Sequence, residues 1–167
     1  MIPAAFEYTR PSSLADAVSA VGGGAKVIAG GQSLLPLLKL RLASADKLVD
    51  IGRIGELKGY RPQPDGGLEI GALTTYAEWQ AATTFPGVAE AIDHIADVQV
   101  RNRGTIGGAI AHADPAADMP AVLLALEAEV VVRSAHHGER TIPIGEFFDG
   151  AFSTALAADE LLTEIRV

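Results

Sequence analysis

Lys26-Val27-Ile28-Ala29, Gly30-Gly31-Gln32-Ser33 and Leu34-Leu35-Pro36-Leu37-Leu38-Lys39-Leu40 follow one another without a gap. The first stretch reads as a buried strand, the last carries apolar residues at helical density, and paired glycines punctuate the turn between them. Lys47 to Ile51 supplies a further strand. Strand, glycine turn, helix, strand is a crossover unit, and crossovers join parallel strands. Upstream, Phe6 to Tyr8 reads as a short strand, and Ser12 or Ser13 can cap a helix through Ala20 with Leu14, Ala17, Val18 and Val21 on one face. Gly22-Gly23-Gly24 ends that helix. Residues 1–52 are therefore expected to form a small N-terminal α/β subdomain.

From residue 53 the rhythm changes. Leu57 to Arg61 and Leu68 to Leu73 flank Pro64-Asp65-Gly66-Gly67, a turn cluster that makes the two strands a hairpin and shifts the pairing to antiparallel. Thr74 or Thr75 can cap a short helix carrying Tyr76, Trp79 and Ala82, and a second helix is expected from Val88 to about Ala96. Arg101 to Pro120 reads as loop. Met119 to Ala128 is helical, Glu129 to Arg133 and Arg140 to Ile144 are strands around His136-His137-Gly138, and Glu160 to Val167 closes the chain as an apolar-rich strand. The region 53–167 is expected to form a larger subdomain with a mixed or antiparallel sheet, giving an α+β fold overall.

Composition narrows the chemistry. Thirteen Lys and Arg against 21 Asp and Glu give a net charge of −8, the wrong sign for a protein that gains affinity by neutralising phosphate backbones, so nucleic acid is not an expected partner. With no cysteine among its 167 residues, the chain has no disulfide, no thiolate zinc site, no protein-held iron–sulfur cluster and no cysteine nucleophile. Redox chemistry would have to come from a bound organic cofactor. The N-terminal Met1-Ile2-Pro3-Ala4-Ala5-Phe6 lacks a basic region and an apolar signal core, and Met119 to Leu126 is far shorter than the ~20 residues of a membrane span. The expected location is cytoplasmic.

Two glycine loops carry the functional signal. Ala29-Gly30-Gly31-Gln32-Ser33 lies between strand and helix, where glycines admit a phosphate close to outward-pointing N–H groups, although the same pairing also serves as plain turn punctuation. It is neither a Walker A loop, since no Gly-Lys-Ser/Thr follows, nor the Rossmann fingerprint. The second segment runs Arg101-Asn102-Arg103-Gly104-Thr105-Ile106-Gly107-Gly108-Ala109-Ile110-Ala111-His112-Ala113-Asp114-Pro115-Ala116-Ala117-Asp118-Met119-Pro120. A structureless loop of that length is uncommon unless it wraps a ligand. Gly107-Gly108 could offer N–H groups to a pyrophosphate, Thr105 a hydroxyl, and Asp118 an acceptor for sugar hydroxyls.

Ala29 to Pro36, followed by Val100 to Gly108 and by Ala111 to Pro120, resembles the FAD-binding medium subunit of the molybdenum hydroxylases, the family of aerobic carbon monoxide dehydrogenase and xanthine dehydrogenase. Phe6-Glu7-Tyr8 before Arg10-Pro11, and Ile70-Gly71-Ala72-Leu73-Thr74, fit as well, so the likeness covers essentially the whole chain. The resemblance implies a vanillyl-alcohol-oxidase (PCMH) type FAD-binding domain with the cofactor extended between its two parts. It implies that Ala29, Gly30, Gly31, Gln32, Ser33, Leu34 and Leu35 bind the diphosphate, that Thr105, Ile106, Gly107, Gly108 and Ala109 close over it, that Asp118 takes a sugar hydroxyl, and that Leu162 packs near the flavin. The implied partners are a molybdopterin-containing large subunit and an iron–sulfur small subunit. Electrons would pass from the partner's clusters through the flavin to an external acceptor. No residue of this chain would do acid–base catalysis, and no metal site is implied. Against the family pattern, the C-terminal domain and a lysine-bearing segment near the flavin are absent after Val167. The alternative function is a non-catalytic nucleotide-binding or assembly subunit with an incomplete flavin site.

Other residues admit plainer readings. Arg101 and Arg103 could neutralise a diphosphate or dock a partner, or be solvated or paired with nearby Asp. His112 and Asp114 are too few ligands for a metal site. His136 and His137 fit an exposed turn, Trp79 fits packing, and Ser33 has no nucleophile motif around it.

Overall fold

The computed structural model describes residues 2–167. Its N-terminal part runs β1 (Glu7–Thr9), α1 (Leu14–Ala20), β2 (Lys26–Ile28), α2 (Leu34–Leu40) and β3 (Lys47–Asp50). Both β1 and β2 pair with β3 in parallel, in the order β1-β3-β2, as the crossover reading requires. Ser13 caps α1, its hydroxyl oxygen accepting from the Asp16 amide at 3.1 Å. Leu14, Ala17 and Val18 of α1 then bury against Val49 and Ile51 in one apolar cluster.

The rest of the chain adds β4 (Tyr60–Pro62), β5 (Leu68–Gly71), α3 (Tyr76–Ala82), α4 (Pro86–Asp93), α5 (Val98–Arg101), α6 (Ile106–His112) and α7 (Met119–Ala125). It continues with β6 (Glu129–Ser134), β7 (Gly138–Pro143), α8 (Ile144–Phe147), β8 (Phe148–Gly150), β9 (Ser153–Thr154) and β10 (Glu160–Arg166). Strands β4-β5-β10-β6-β7 form an antiparallel sheet in that order. The hairpin is shorter than the sequence suggested: Leu57 lies in a one-turn 3-10 helix, Gly55–Leu57, and its side chain goes into the first cluster instead. The small β8–β9 hairpin had no counterpart in the sequence reading.

The principal correction concerns Arg101 to Pro120. The segment is not loop: it holds the end of α5, all of α6 and the start of α7. Two of its glycines, Gly107 and Gly108 in the first turn of α6, weaken the helix by up to about 1 kcal/mol each relative to alanine. Ile106 and Ile110, one turn apart and both fully buried, each return roughly 1.5–3 kcal/mol of transfer free energy, so tertiary packing decides the conformation. The Thr105 hydroxyl oxygen caps the helix by accepting from the Gly108 amide at 3.2 Å.

β10 is the hinge of the packing. Leu162 and Ile165 join the larger core, with Ile70, Val130 and Val132 of neighbouring strands and Trp79, Ile106, Ile110, Met119, Leu123 and Phe147 of the helices. A register shift between Leu162 and Glu164 brings Ile165 back to the helix side. Leu161 points the other way, into the cluster built by α1 and β3. One strand therefore seals both cores, which fixes the parallel sheet's position against the antiparallel one. Among the described residues no helix is long and apolar enough to cross a membrane.

Candidate functional site

The two glycine loops meet. A Cβ on Gly30 would collide with the Arg103 carbonyl and stand 3.1 Å from the Gly104 Cα, so only glycine allows the first loop to lie against the second. Across the same junction, a Cβ on Gly108 would come 3.8 Å from the Ala29 Cβ. An isolated bridge between Thr75 and Thr105, with Tyr76 N–H donating to Gly104 O at 3.2 Å, pins the second loop to the start of α3.

The amides of the loops are used differently. At the start of α6, Ile106 N–H donates to Thr74 O and Gly107 N–H to Ala72 O, both at 3.0 Å, while Gly108 N–H is taken by Thr105. The N–H groups that the sequence offered from Gly107-Gly108 are thus already bonded inside the protein. Gly107 serves packing: a Cβ there would stand 2.5 Å from the Ala72 Cβ. The first loop is the opposite case. Among the described residues, the amides of Gly30, Gly31, Gln32 and Ser33 have no hydrogen-bond acceptor, and Ser33, the residue before α2, makes no side-chain cap bond. Gly31 holds φ +75°, a backbone state that favours glycine, and Gln32 Nε2 donates back to Gly30 O at 3.1 Å. Four successive free N–H groups and a free hydroxyl are donors available to an anion. Leu34 and Leu35 sit half-buried in the first turn of α2.

The surrounding charges are now assigned. Arg101 is half-buried and pairs with no carboxylate: Nη1 donates to the carbonyls of Asp93, Ile95 and Ala96, at and just past the end of α4. The Arg103 side chain is exposed and has no ion-pair partner among the described residues. Asp118 stands exposed at the start of α7, also without a side-chain cap bond. Burial of Tyr76, and secondarily the Asp118 charge, push the Tyr76 phenol well above its ordinary pKa, so it stays protonated as a donor. Ala109 lies half-buried on α6 behind the loop junction. Leu162 is not at the loop surface: it is 4% exposed and packed in the larger core, in a strand that contacts α6.

A sequence profile described as the FAD-binding domain in molybdopterin dehydrogenase matches residues 4–167. The chain belongs to that family. It is 45% identical to the carbon monoxide dehydrogenase medium chain of Hydrogenophaga pseudoflava, covering all of this chain and 60% of that one. It is 33% identical to the xanthine dehydrogenase FAD-binding subunit of Escherichia coli O157:H7, over 93% of this chain and 55% of the relative. A solved carbon monoxide dehydrogenase from Hydrogenophaga pseudoflava, lacking the Mo-pyranopterin moiety of its cofactor, superposes with a TM-score of 0.94 at 46% identity, over the whole of this chain and 60% of that one. The chain thus spans 55–60% of the length of these relatives. The PCMH-type fold and FAD as cofactor follow from family membership, and the free amides of Gly30 to Ser33 fit the diphosphate of that cofactor.

Residues that the sequence reading did not assign to the cofactor site also gather here. Pro36 and Leu37 of α2, His112 at the end of α6, Asp114 just after it and Phe152 of the β8–β9 turn line a hollow of about 440 Å³ together with Gln32 and Ser33. Their separations in sequence leave no local signal that joins them.

Proposed function

We propose that this chain is the flavin-holding, electron-transferring part of a molybdenum hydroxylase. The free amides of Gly30 to Ser33, set against the capped start of α6, are the observation that carries the reading. In this reading those four N–H groups and the Ser33 hydroxyl grip the diphosphate from one side. Thr105 to Ala109 close it from the other, through the Thr105 hydroxyl and the close approach that Gly108 allows. Asp118 accepts from a sugar hydroxyl, Arg103 supplies a cation at the mouth, and Leu162 supports α6 from below. The bound isoalloxazine supplies the redox chemistry, and the protein orients it and leaves an edge open to other molecules. No side chain has to move a proton.

The same reading gives the chain two partner subunits in a cytoplasmic complex, one carrying molybdopterin and one carrying iron–sulfur clusters. The absence of cysteine supports a division of labour in which another chain ligates the clusters. The xanthine and carbon monoxide enzymes share this domain, which puts substrate choice elsewhere in the assembly.

The test is a visible-absorption titration of the purified chain with FAD. Saturable uptake with a perturbed flavin spectrum is expected, and Gly31→Val is expected to abolish it, because a side chain there would force an L-residue to φ +75° and press on Leu35 at 2.9 Å. Gly107→Val is a poor probe, since its Cβ clashes inside the core rather than at the ligand. Failure to take up FAD would favour the assembly-subunit reading.

A further inference from the structure

Phe152 breaks three ordinary rules at once. It is an aromatic side chain left 60% exposed, it sits in the tight β8–β9 turn, and its backbone is left-handed at φ +57°. A non-glycine residue in that region carries a conformational cost, and such costs persist where the surroundings impose them. Here they do: Phe152 N–H donates at 2.8 Å to the carbonyl of Ala113, itself left-handed at φ +52° as the residue that ends α6. The helix end thus fixes the turn. The Phe152 ring lies 5.2 Å from the His112 ring, centroid to centroid, at an interplanar angle of 53°.

Together these two rings wall the hollow of about 440 Å³, a size within the range of small-molecule sites. Pro36 and Leu37 of α2, Gln32 and Ser33 before it, and Asp114 just after α6 complete the lining. Gln32 and Ser33 are also members of the free-amide cluster, so a group in the hollow lies next to whatever that cluster holds. The lining is apolar at Pro36, Leu37 and Phe152 and polar at Gln32, Ser33, His112 and Asp114. It suits a flat heteroaromatic ring joined by a short chain to a diphosphate. The hollow opens to solvent beside an exposed aromatic, which leaves a ring edge within reach of a second molecule. That is a requirement for the electron-passing ring and not for the adenine at the other end of the dinucleotide.

We propose that Phe152, backed by His112, is the aromatic wall on which the flavin ring of FAD stacks in this slot. The inference rests on the FAD reading above and adds residues that the glycine loops do not include. Exposure makes Phe152 dispensable for folding, so its substitution reports on the ligand.

The experiment titrates the full chain, as wild type, Phe152→Ala and Phe152→Gly, separately with FAD, FMN and ADP, following binding by calorimetry and flavin emission. Both variants are expected to bind FAD and FMN roughly 5- to 150-fold more weakly, the range for loss of one ring stack, while ADP binding is unchanged. Bound-flavin emission is expected to rise when the stacking ring is removed. The melting temperature of the ligand-free Phe152→Gly chain is expected to be unchanged or higher, because glycine relieves the left-handed strain. Unchanged FAD affinity in both variants would overturn the proposal, and so would an ADP affinity that falls as much as that of FAD, which would assign the slot to adenine. A wild-type chain that binds no FAD would bring down the functional reading together with this one, an outcome distinct from equal binding by wild type and variants.

Discussion

Gly30 and Thr105 hold the two loops in register by different means. At Gly30 a single added methyl would strike the Arg103 carbonyl, which is backbone and cannot swing aside. Gly30→Ala is therefore expected to lower stability by about 1–3 kcal/mol, as overpacking does, and to separate the loops enough to weaken FAD binding; thermal melting and flavin titration check both. Thr105→Val keeps the shape but removes the acceptor for Gly108 N–H, at an expected cost of about 1 kcal/mol, with Thr105→Ser restoring most of it. The glycine pairs themselves were legible in the sequence. Their division of labour was not, because Gly107 packs on Ala72 and Gly30 on Arg103 through contacts made only in the folded chain. Arg101 shows the same limit. Its choice among the carbonyls of Asp93, Ile95 and Ala96 depends on where α4 stops, and α4 ends at Asp93, short of the Ala96 expected from sequence.

At the scale of elements, strands and capped helices with clear periodicity were readable, including α1 behind Ser13 and α3 behind Thr75. Thr75 and Glu78 complete a reciprocal capping box, so Thr75→Ala is expected to cost about 1 kcal/mol in denaturant midpoints converted to free energy. α6 was missed because small residues dilute its apolar period, leaving Ile106 and Ile110 as the sole strong marks, and their burial is decided by the sheet beneath. The link between β7 and β10 carries a pH dependence. The Arg140 guanidinium donates to Glu160 at 2.6 and 2.8 Å and, with the Ala157 amide, holds the Glu160 carboxyl below its ordinary value of 4.5 against the opposing effect of burial. A carboxylate with a depressed folded pKa stabilises the fold above its unfolded pKa and loses that contribution as pH falls through the folded one. Asp159 works in the same direction, held down first by the Ser134 hydroxyl, then by its own backbone N–H, and least by the nearby His137 and His136. Stability is thus expected to decline below about pH 4.5. Arg140→Leu is expected to move the acid-unfolding midpoint upward and to cost about 1 kcal/mol at neutral pH, since the Arg140 side chain is half-exposed and screened by solvent; circular dichroism against pH reads both.

For the whole molecule, the decisive feature is that β10 seals two cores with adjacent leucines, Leu161 into one and Leu162 into the other. The parallel and antiparallel sheets are thereby fixed relative to each other, and the glycine loops, one from each, arrive already in contact. A preformed cleft of this kind predicts that ligand binding stabilises both parts together: FAD at a hundred times its Kd is expected to add about 2.7 kcal/mol to unfolding, visible as one cooperative transition shifted upward. The central claim is narrower, namely that the free amides of Gly30, Gly31, Gln32 and Ser33 are the diphosphate-binding group, while those of Ile106 to Gly108 remain bonded within the protein. An amide-resolved NMR titration of the chain with FAD tests it most directly. The account predicts that the largest downfield amide shifts and the greatest gain in hydrogen-exchange protection fall on Gly30 to Ser33, with Ile106 and Gly107 already protected beforehand. Saturation by FAD with those four amides unmoved, or with new protection concentrated at Ile106 to Gly108, would contradict it.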